Sequence, residues 1–245
     1  MDIKLENPSL LAKVVDIISE LVTEVRIKIS EEGMSITAMD PANVSMVNFK
    51  ISKGAFSRFE AEKDVLGINL ENLKQIMRRC GSGSSLIFEK EENLLKIYIQ
   101  DRIKRKFTLN LIHVDSEDIN FGEKMSNMNF SSAVEISSND LIDSIEDCAV
   151  VADACSFIVE SGKFIIEAKS LNSARIEFSE SEAKIMAENC RSKYSLEYLQ
   201  KFMKGAKLCD KTTIHFSEDH PLKVDFKGKD FELNFVLAPR IENED

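Results

Sequence analysis

Two stretches decide the fold when laid over each other: Asn69–Arg78, NLENLKQIMR, and Ser195–Lys204, SLEYLQKFMK. Leucine, glutamate, leucine, methionine and a closing basic residue fall in register, with Leu196 standing 126 residues after Leu70. Apolar residues three and four apart predict an amphipathic helix in each. The first reads from Leu70 to Cys80 and is stopped by Gly81 and Gly83. Working outward, the match extends. Ser9 to Leu21 has helical spacing, and Asp140 to Glu146 begins a similar helix in the second half. Glu24–Ile29 alternates, turns at Glu31-Glu32-Gly33 and resumes at Met34–Thr37; Phe157–Val159, Ser161-Gly162 and Phe164–Ala168 repeat that hairpin. Val44–Ile51 is a further alternating strand. After the helix at Leu70 come strands at Ser85–Phe88 and Leu94–Ile99, a charged turn over Asp101–Arg105, and a strand at Phe107–Val114. After the helix at Leu196 come Thr213–Ser217, Leu222–Phe226 and Phe231–Leu237.

The chain is thus a duplication of a unit with two helices amid many strands. The period is too long for a solenoid repeat. Antiparallel hairpins have one apolar face to cover, and the two helices of each half suit that task, so the fold class is α+β. Asp115–Asn129 is acidic, polar and weakly periodic, with apolar points at Ile119, Phe121, Met125 and Met128. It reads as an extended linker, giving domains at 1–113 and 131–245 joined by a connector at 114–130.

Composition narrows the functional classes. Of 245 residues, 43% are hydrophobic and 30% charged, which excludes a disordered chain, a collagen-like fibre and a simple basic nucleic-acid module. The net charge of −10 would repel a polyanion at long range, but it does not say where the charges lie. Met1–Pro8 carries Asp2, Lys4 and Glu6 and does not read as a signal peptide. No apolar run approaches the ~20 residues of a spanning helix. The five scattered cysteines read as free thiols in a reducing compartment, so a soluble intracellular protein is expected.

Tests for chemistry come out poorly. His215 to His220 spans a strand, a turn and Pro221, so its side chains are expected on different faces rather than around a metal. No serine, cysteine or lysine sits in a nucleophile motif, and no acidic pair converges on a hydrolase site. Gly81–Ser85 follows a helix, whereas a phosphate cradle precedes one. Neither an enzyme nor a cofactor is expected. The run Arg102–Lys106 reads as a solvated hairpin. More telling are helical cations with few nearby carboxylates: Lys74, Arg78 and Arg79, then Lys201, Lys204 and Lys207. Lys74 with Arg78, and Lys201 with Lys204, share helix faces, and the recurrence in both halves suggests a common partner such as phosphates.

Met39-Asp40-Pro41-Ala42-Asn43-Val44-Ser45-Met46-Val47 resembles the Met-Asp-x-x-x-Val-x-x-Val signature of the archaeal and eukaryotic DNA sliding clamp, the proliferating cell nuclear antigen family. Leu237-Ala238-Pro239-Arg240-Ile241-Glu242 is similar to that family's C-terminal motif. The resemblance spans the whole chain. It implies a duplicated clamp fold, with sheets outside and helices inside, in three subunits that close head to tail around duplex DNA. Strand Phe107–Leu111, with Phe107, Leu109 and Leu111, would then pair with Ala174–Ser179 of the next subunit, with Arg175, Ile176 and Phe178. Lys13, Lys74, Arg78, Arg79, Lys201 and Lys204 would attract phosphates without reading bases. The family's partner pocket implies a peptide-binding set of Met39, Val44, Met46, Pro221, Val236, Leu237, Ala238, Pro239 and Ile241, with Ile119 and Phe121 from the connector. Methionine-rich apolar surface suits a promiscuous groove, although alternation exposes only one face of each strand. Partners implied are the clamp loader, DNA polymerase, flap nuclease and DNA ligase, each through a short peptide motif. The implied location is with the chromosome, in an archaeal cytoplasm or a eukaryotic nucleus. Asp140, Asp143, Glu146 and Asp147 depart from the family, which places basic residues at some of these positions. That departure keeps open an alternative, a checkpoint or scaffold subunit of a heterotrimeric ring.

Overall fold

The computed structural model describes residues 1–241; Glu242, which closes the C-terminal motif, and the three residues after it lie outside the described residues. The chain forms two compact units. The first comprises Met1–Pro41, Val47–Asn120 and Lys229–Glu232; the second comprises Ala42–Met46, Phe121–Gly228 and the chain from Leu233.

The first unit is built from β1 (Asp2–Leu5), α1 (Ser9–Ile18), β2 (Glu24–Ser30), β3 (Gly33–Met39), most of β4 (Ser45–Ser52), β5 (Arg58–Glu60), β6 (Asp64–Asn69), α2 (Leu70–Met77), β7 (Ser85–Glu91), β8 (Leu94–Gln100) and β9 (Lys104–Asn110). Its strands lie in the orders β5-β1-β7-β8-β9 and β4-β3-β2-β6. The second unit contains α3 (Phe121–Ser126), β10 (Ser132–Ser137), α4 (Ser138–Ala149), β11 (Ala154–Glu160), β12 (Lys163–Lys169), β13 (Ser173–Phe178), β14 (Ala183–Ala187), β15 (Cys190–Ser195), α5 (Leu196–Ala206), β16 (Lys211–Phe216), β17 (Leu222–Lys227) and most of β18 (Phe231–Leu237). Its orders are β14-β10-β16-β17-β18 and β13-β12-β11-β15. Strand for strand the second pair of orders repeats the first, so the duplication holds at the level of topology.

Packing repeats as well. α1 lies against α2, and α4 against α5. Leu70 N–H donates to the Thr23 carbonyl at 2.8 Å, and Leu196 N–H to the Asp153 carbonyl at 3.0 Å, so each second helix starts from the same point beside its sheet. Leu70, Leu73, Ile76 and Met77 are buried under α2; Leu196, Leu199, Phe202 and Met203 are buried under α5. Phe202 stacks on Phe235 with centroids 4.4 Å apart. Such burial, rather than helix propensity, is what holds a helix as short as α2 in place.

The structure corrects several boundaries. α1 ends at Ile18 and α2 at Met77, with turns after both. The basic run is largely strand: β9 starts at Lys104, and an Arg105–Asp101 ion pair ties the turn before it. The stretch expected to be a plain linker holds the short helix α3. Its beginning is fastened to β2 through Arg26 to the Ser116 carbonyl and Lys28 to Asp118. Gly67 in β6 has a specific cause. Ile112 N–H donates to the Gly67 carbonyl at 2.9 Å, and a side-chain carbon at residue 67 would collide with the Ile112 carbonyl.

Candidate DNA-facing helices and docking surfaces

In the first unit the exposed face of the helix pair carries Lys13, Arg78 and Arg79, with Lys74 half-buried. The sequence suggested few carboxylates nearby, and the structure overturns that. Asp16, one helix away on α1, lies 2.7 Å from the Arg78 guanidinium and 3.7 Å from Lys74 Nζ. Lys74 also lies 3.2 Å from Glu71 and donates to Ser19 Oγ at 3.2 Å. Linear spacing could not bring Asp16 to α2, because only the packing of two helices does so. Lys13 and Arg78 border an open groove with Ser9, Gly81 and Ser82.

In the second unit Lys201 pairs with Glu197 at 2.9 Å and sits over the Tyr198 ring, 5.2 Å from its centroid. Lys204 on the same helix and Lys207 just after it are exposed. Asp140, Asp143, Glu146 and Asp147 are all exposed on α4. The acidic departure is therefore a surface feature, since α4 buries only Leu141, Ile142, Ile145, Cys148 and two serines.

Two edge strands stand out. Among the described residues β9 has β8 as its one sheet neighbour and β13 has β12, so each is an edge strand. Phe107, Leu109 and Leu111 are half-buried on or just after β9. Phe107 stands opposite Ile97 and Leu109 opposite Leu95, both fully buried, so they mark the core-facing row where it reaches the open edge. On β13, Ile176 is half-buried opposite Ile166, and Phe178 is buried against Phe164. Arg175 is pinned by Glu167 at 3.0 Å and Glu177 at 2.8 Å. Glu167 is buried. Burial alone would raise its carboxyl, but hydrogen bonds from Lys169 and Arg175 hold it below the usual range.

The residues implied for peptide binding divide by unit and by exposure. Met39 and Ile119 are half-buried in the first unit. In the second, Val44 is 37% exposed and Ile241 71% exposed, while Phe121, Pro221, Ala238 and Pro239 are half-buried. Met46, Val236 and Leu237 are buried and serve as core. The tail is tied down by backbone bonds: Ala238 N–H donates to the Val44 carbonyl at 2.8 Å and Arg240 N–H to the Lys193 carbonyl at 2.7 Å. Arg240 also pairs with Asp153 at 2.9 Å. A fixed tail with an apolar outer face is a preorganised surface, which reduces the ordering cost of binding.

His215 and His220 both approach the Phe130 ring, with centroids 5.8 and 5.5 Å away, so they share a neighbour. His215 is held by Asp225 at 3.2 Å, and no group of three metal-ligating side chains gathers among the described residues. No helix among these residues is long and apolar enough to cross a membrane.

Nine strands and two packed helices, repeated in the same order, define a duplicated clamp-fold protein. Comparison with known families adds a match to the N-terminal domain of proliferating cell nuclear antigen over residues 1–119, and to its C-terminal domain over residues 124–241. The chain belongs to the proliferating cell nuclear antigen family. A protein named DNA polymerase sliding clamp from Pyrococcus furiosus is 31% identical, the match covering 98% of each chain. One of the same name from Thermococcus gammatolerans is 32% identical, over 91% of this chain and 92% of that one. The crystal structure of Proliferating Cellular Nuclear Antigen from Entamoeba histolytica superposes with a TM-score of 0.89 over 98% of both chains at 23% identity, a likeness of fold.

Proposed function

We propose that the chain is the subunit of a DNA sliding clamp that encircles duplex DNA and tethers DNA polymerase as a processivity factor. One observation supports its assembly above others: β9 ends one sheet of the first unit and β13 ends one sheet of the second, each with a free side. Two different edges on one chain suit a head-to-tail joint, and such a joint closes into a ring if the rotation allows, here with three copies. Pairing would also hide edges that otherwise invite aggregation. Lys13, Lys74, Arg78, Arg79, Lys201 and Lys204 face the duplex in this reading and meet phosphates without base contacts, which permits sliding. Val44, Ala238, Pro239 and Ile241 offer the exposed part of a surface for short peptide motifs of the loader, polymerase, flap nuclease and ligase. The protein makes and breaks no bond. It raises the effective concentration of its partners at the primer end. Its place is with the chromosome.

Primer extension on primed circular DNA, with loader and ATP, tests the reading. Long products that require this chain are expected; products that stay short in its presence would overturn it. The exposed acidic face of α4 favours a second reading, a heterotrimeric ring in which a basic paralogue supplies the missing charge. The mass of the purified chain separates the two: three times 27.7 kDa for the homotrimer, one or two chains for the mixed ring.

A further inference from the structure

We propose that Asp16 sets the grip of the clamp on DNA, by holding Lys74 and Arg78 in internal ion pairs that a phosphate has to displace. The inference rests on the reading that these cations face the duplex. Asp16 lies in the last turn of α1, where a carboxylate is opposed by the helix dipole, so its charge does not stabilise the helix end. Its carboxylate reaches across to α2, 2.7 Å from Arg78 and 3.7 Å from Lys74. Glu71 takes the other side of Lys74 at 3.2 Å. The side chains in contact within this cluster are Asp16 and Ser19 on and after α1, and Glu71, Lys74 and Arg78 on and after α2.

The Arg78 pair is open to solvent, with the Asp16 side chain 40% exposed and that of Arg78 63%, whereas Lys74 is more enclosed at 15%. Exposed pairs of this kind add little to folding, so a purely structural purpose for Asp16 is weak. Their effect on a polyanion is larger. A cation already neutralised within the protein releases fewer counterions when it meets a phosphate, because binding exchanges one anion for another. Asp16 thus withholds up to two cations from lasting phosphate contact while leaving both in place to be used transiently. A clamp that must stay on DNA yet move along it is served by contacts of that kind.

The test compares intact wild type, D16N, K74A/R78A and D16N/K74A/R78A for binding to a fluorescent 30-base-pair duplex, by anisotropy, over a salt series. D16N keeps the size and polarity of the side chain and removes the charge. Each additional phosphate contact steepens the plot of log affinity against log salt by about 0.9, and at 50 mM salt corresponds to about tenfold tighter binding. The expected result is D16N tighter by about tenfold or more with a steeper slope, and the gain absent when D16N is placed in the K74A/R78A background. Unchanged affinity and slope in D16N, with K74A/R78A still weakening the wild type, overturns the role of Asp16 and leaves the DNA-facing assignment standing. No effect of K74A/R78A on affinity or slope overturns that assignment, and the role of Asp16 with it. A gain in D16N that persists without Lys74 and Arg78 also overturns the proposal, since it would reflect bulk charge alone.

Discussion

Replacing Leu109 by Asp tests the head-to-tail joint directly. Leu109 is half-buried on the open side of β9, above the fully buried Leu95. If a second copy adds its β13 to that edge, the side chain loses its remaining water, and an aspartate there becomes a charge without a partner. Burying an unpaired charge costs about 3 kcal/mol or more. A closed trimer has three such joints, so the total is about 9 kcal/mol. The assembly is third order in subunit, and its midpoint concentration varies as the inverse square root of the association constant. With RT near 0.6 kcal/mol the midpoint rises on the order of 10³-fold. Light scattering after size exclusion reads the change as a fall from three times 27.7 kDa to one chain at concentrations where the wild type is a ring. I176D on β13 should act identically, because Ile176 occupies the matching half-buried site opposite Ile166. Mixing the two variants restores one sound joint, between the intact β13 of one and the intact β9 of the other, and should give a two-chain species at high concentration. Far-UV circular dichroism checks that each variant is folded. Ring mass retained by both folded variants, or no dimer on mixing folded monomers, refutes pairing of these two edges.

Further tests address the pocket, the core and pH. V44E and P239E should each weaken binding of a polymerase-type peptide by about tenfold or more, measured by calorimetry, because each places a charge on the exposed apolar surface of the fixed tail. G67A should lower stability by about 1–3 kcal/mol in urea unfolding, since the added carbon collides with the Ile112 carbonyl. Asp225 is 5% exposed and accepts from Lys223 at 2.6 Å, His215 at 3.2 Å and Asn234 at 2.7 Å. Burial pushes its carboxyl up, but those three bonds together hold it below the usual 3.8. A depressed carboxyl stabilises the fold above its unfolded value near 3.9, and that contribution disappears as pH falls through the folded value. The difference in melting temperature between wild type and D225N should therefore be present near neutral pH and shrink as pH falls below about 4. A difference that does not shrink with falling pH would contradict this.

The duplication was legible because both second helices keep the same buried residues: Leu70 and Leu196, Leu73 and Leu199, Met77 and Met203. Alternating strands such as β2 and β8 could be read for the same reason, since one face meets the core. Short strands were not. β1, β5 and β14 have 4, 3 and 5 residues, too few for a period to register, and they exist because longer strands template them. β6 and β15 lie in stretches that lead directly into α2 and α5, where helical spacing masks strand alternation. The candidate site was legible as residue types and invisible as pairs. Lys74 and Arg78 could be placed on one face from spacing alone, but Asp16 lies 58 residues before Lys74 and meets it only because α1 packs on α2. The Lys28–Asp118 and Arg26–Ser116 ties each span 90 residues. Buried Met46, Val236 and Leu237 show the other limit: a motif marks which residues matter without saying which of them reach the surface.

The net charge of −10 and a DNA partner are compatible for a reason sharper than segregation of charge. Separation is incomplete even on the helices: Asp16 and Glu71 accompany Lys74, Glu197 accompanies Lys201, and α4 exposes four carboxylates. A protein that relied on affinity to remain on DNA would lose by this arrangement, because each neutralised cation removes counterion release from binding. A closed ring does not rely on affinity. Its retention is topological, so the strength of phosphate contact governs friction and centring rather than residence. On that logic, carboxylates beside the cations would lower the barrier between successive phosphate contacts, and the proposed joint between β9 and β13 would carry the burden of staying on. Raising the charge of the helices would then tighten binding of short linear duplexes while slowing movement along long ones, whereas weakening the joint would shorten residence without altering movement. Single-molecule tracking of loaded clamps separates the two effects: D16N should lower the diffusion coefficient with residence unchanged, and the milder L109A should shorten residence with the diffusion coefficient unchanged.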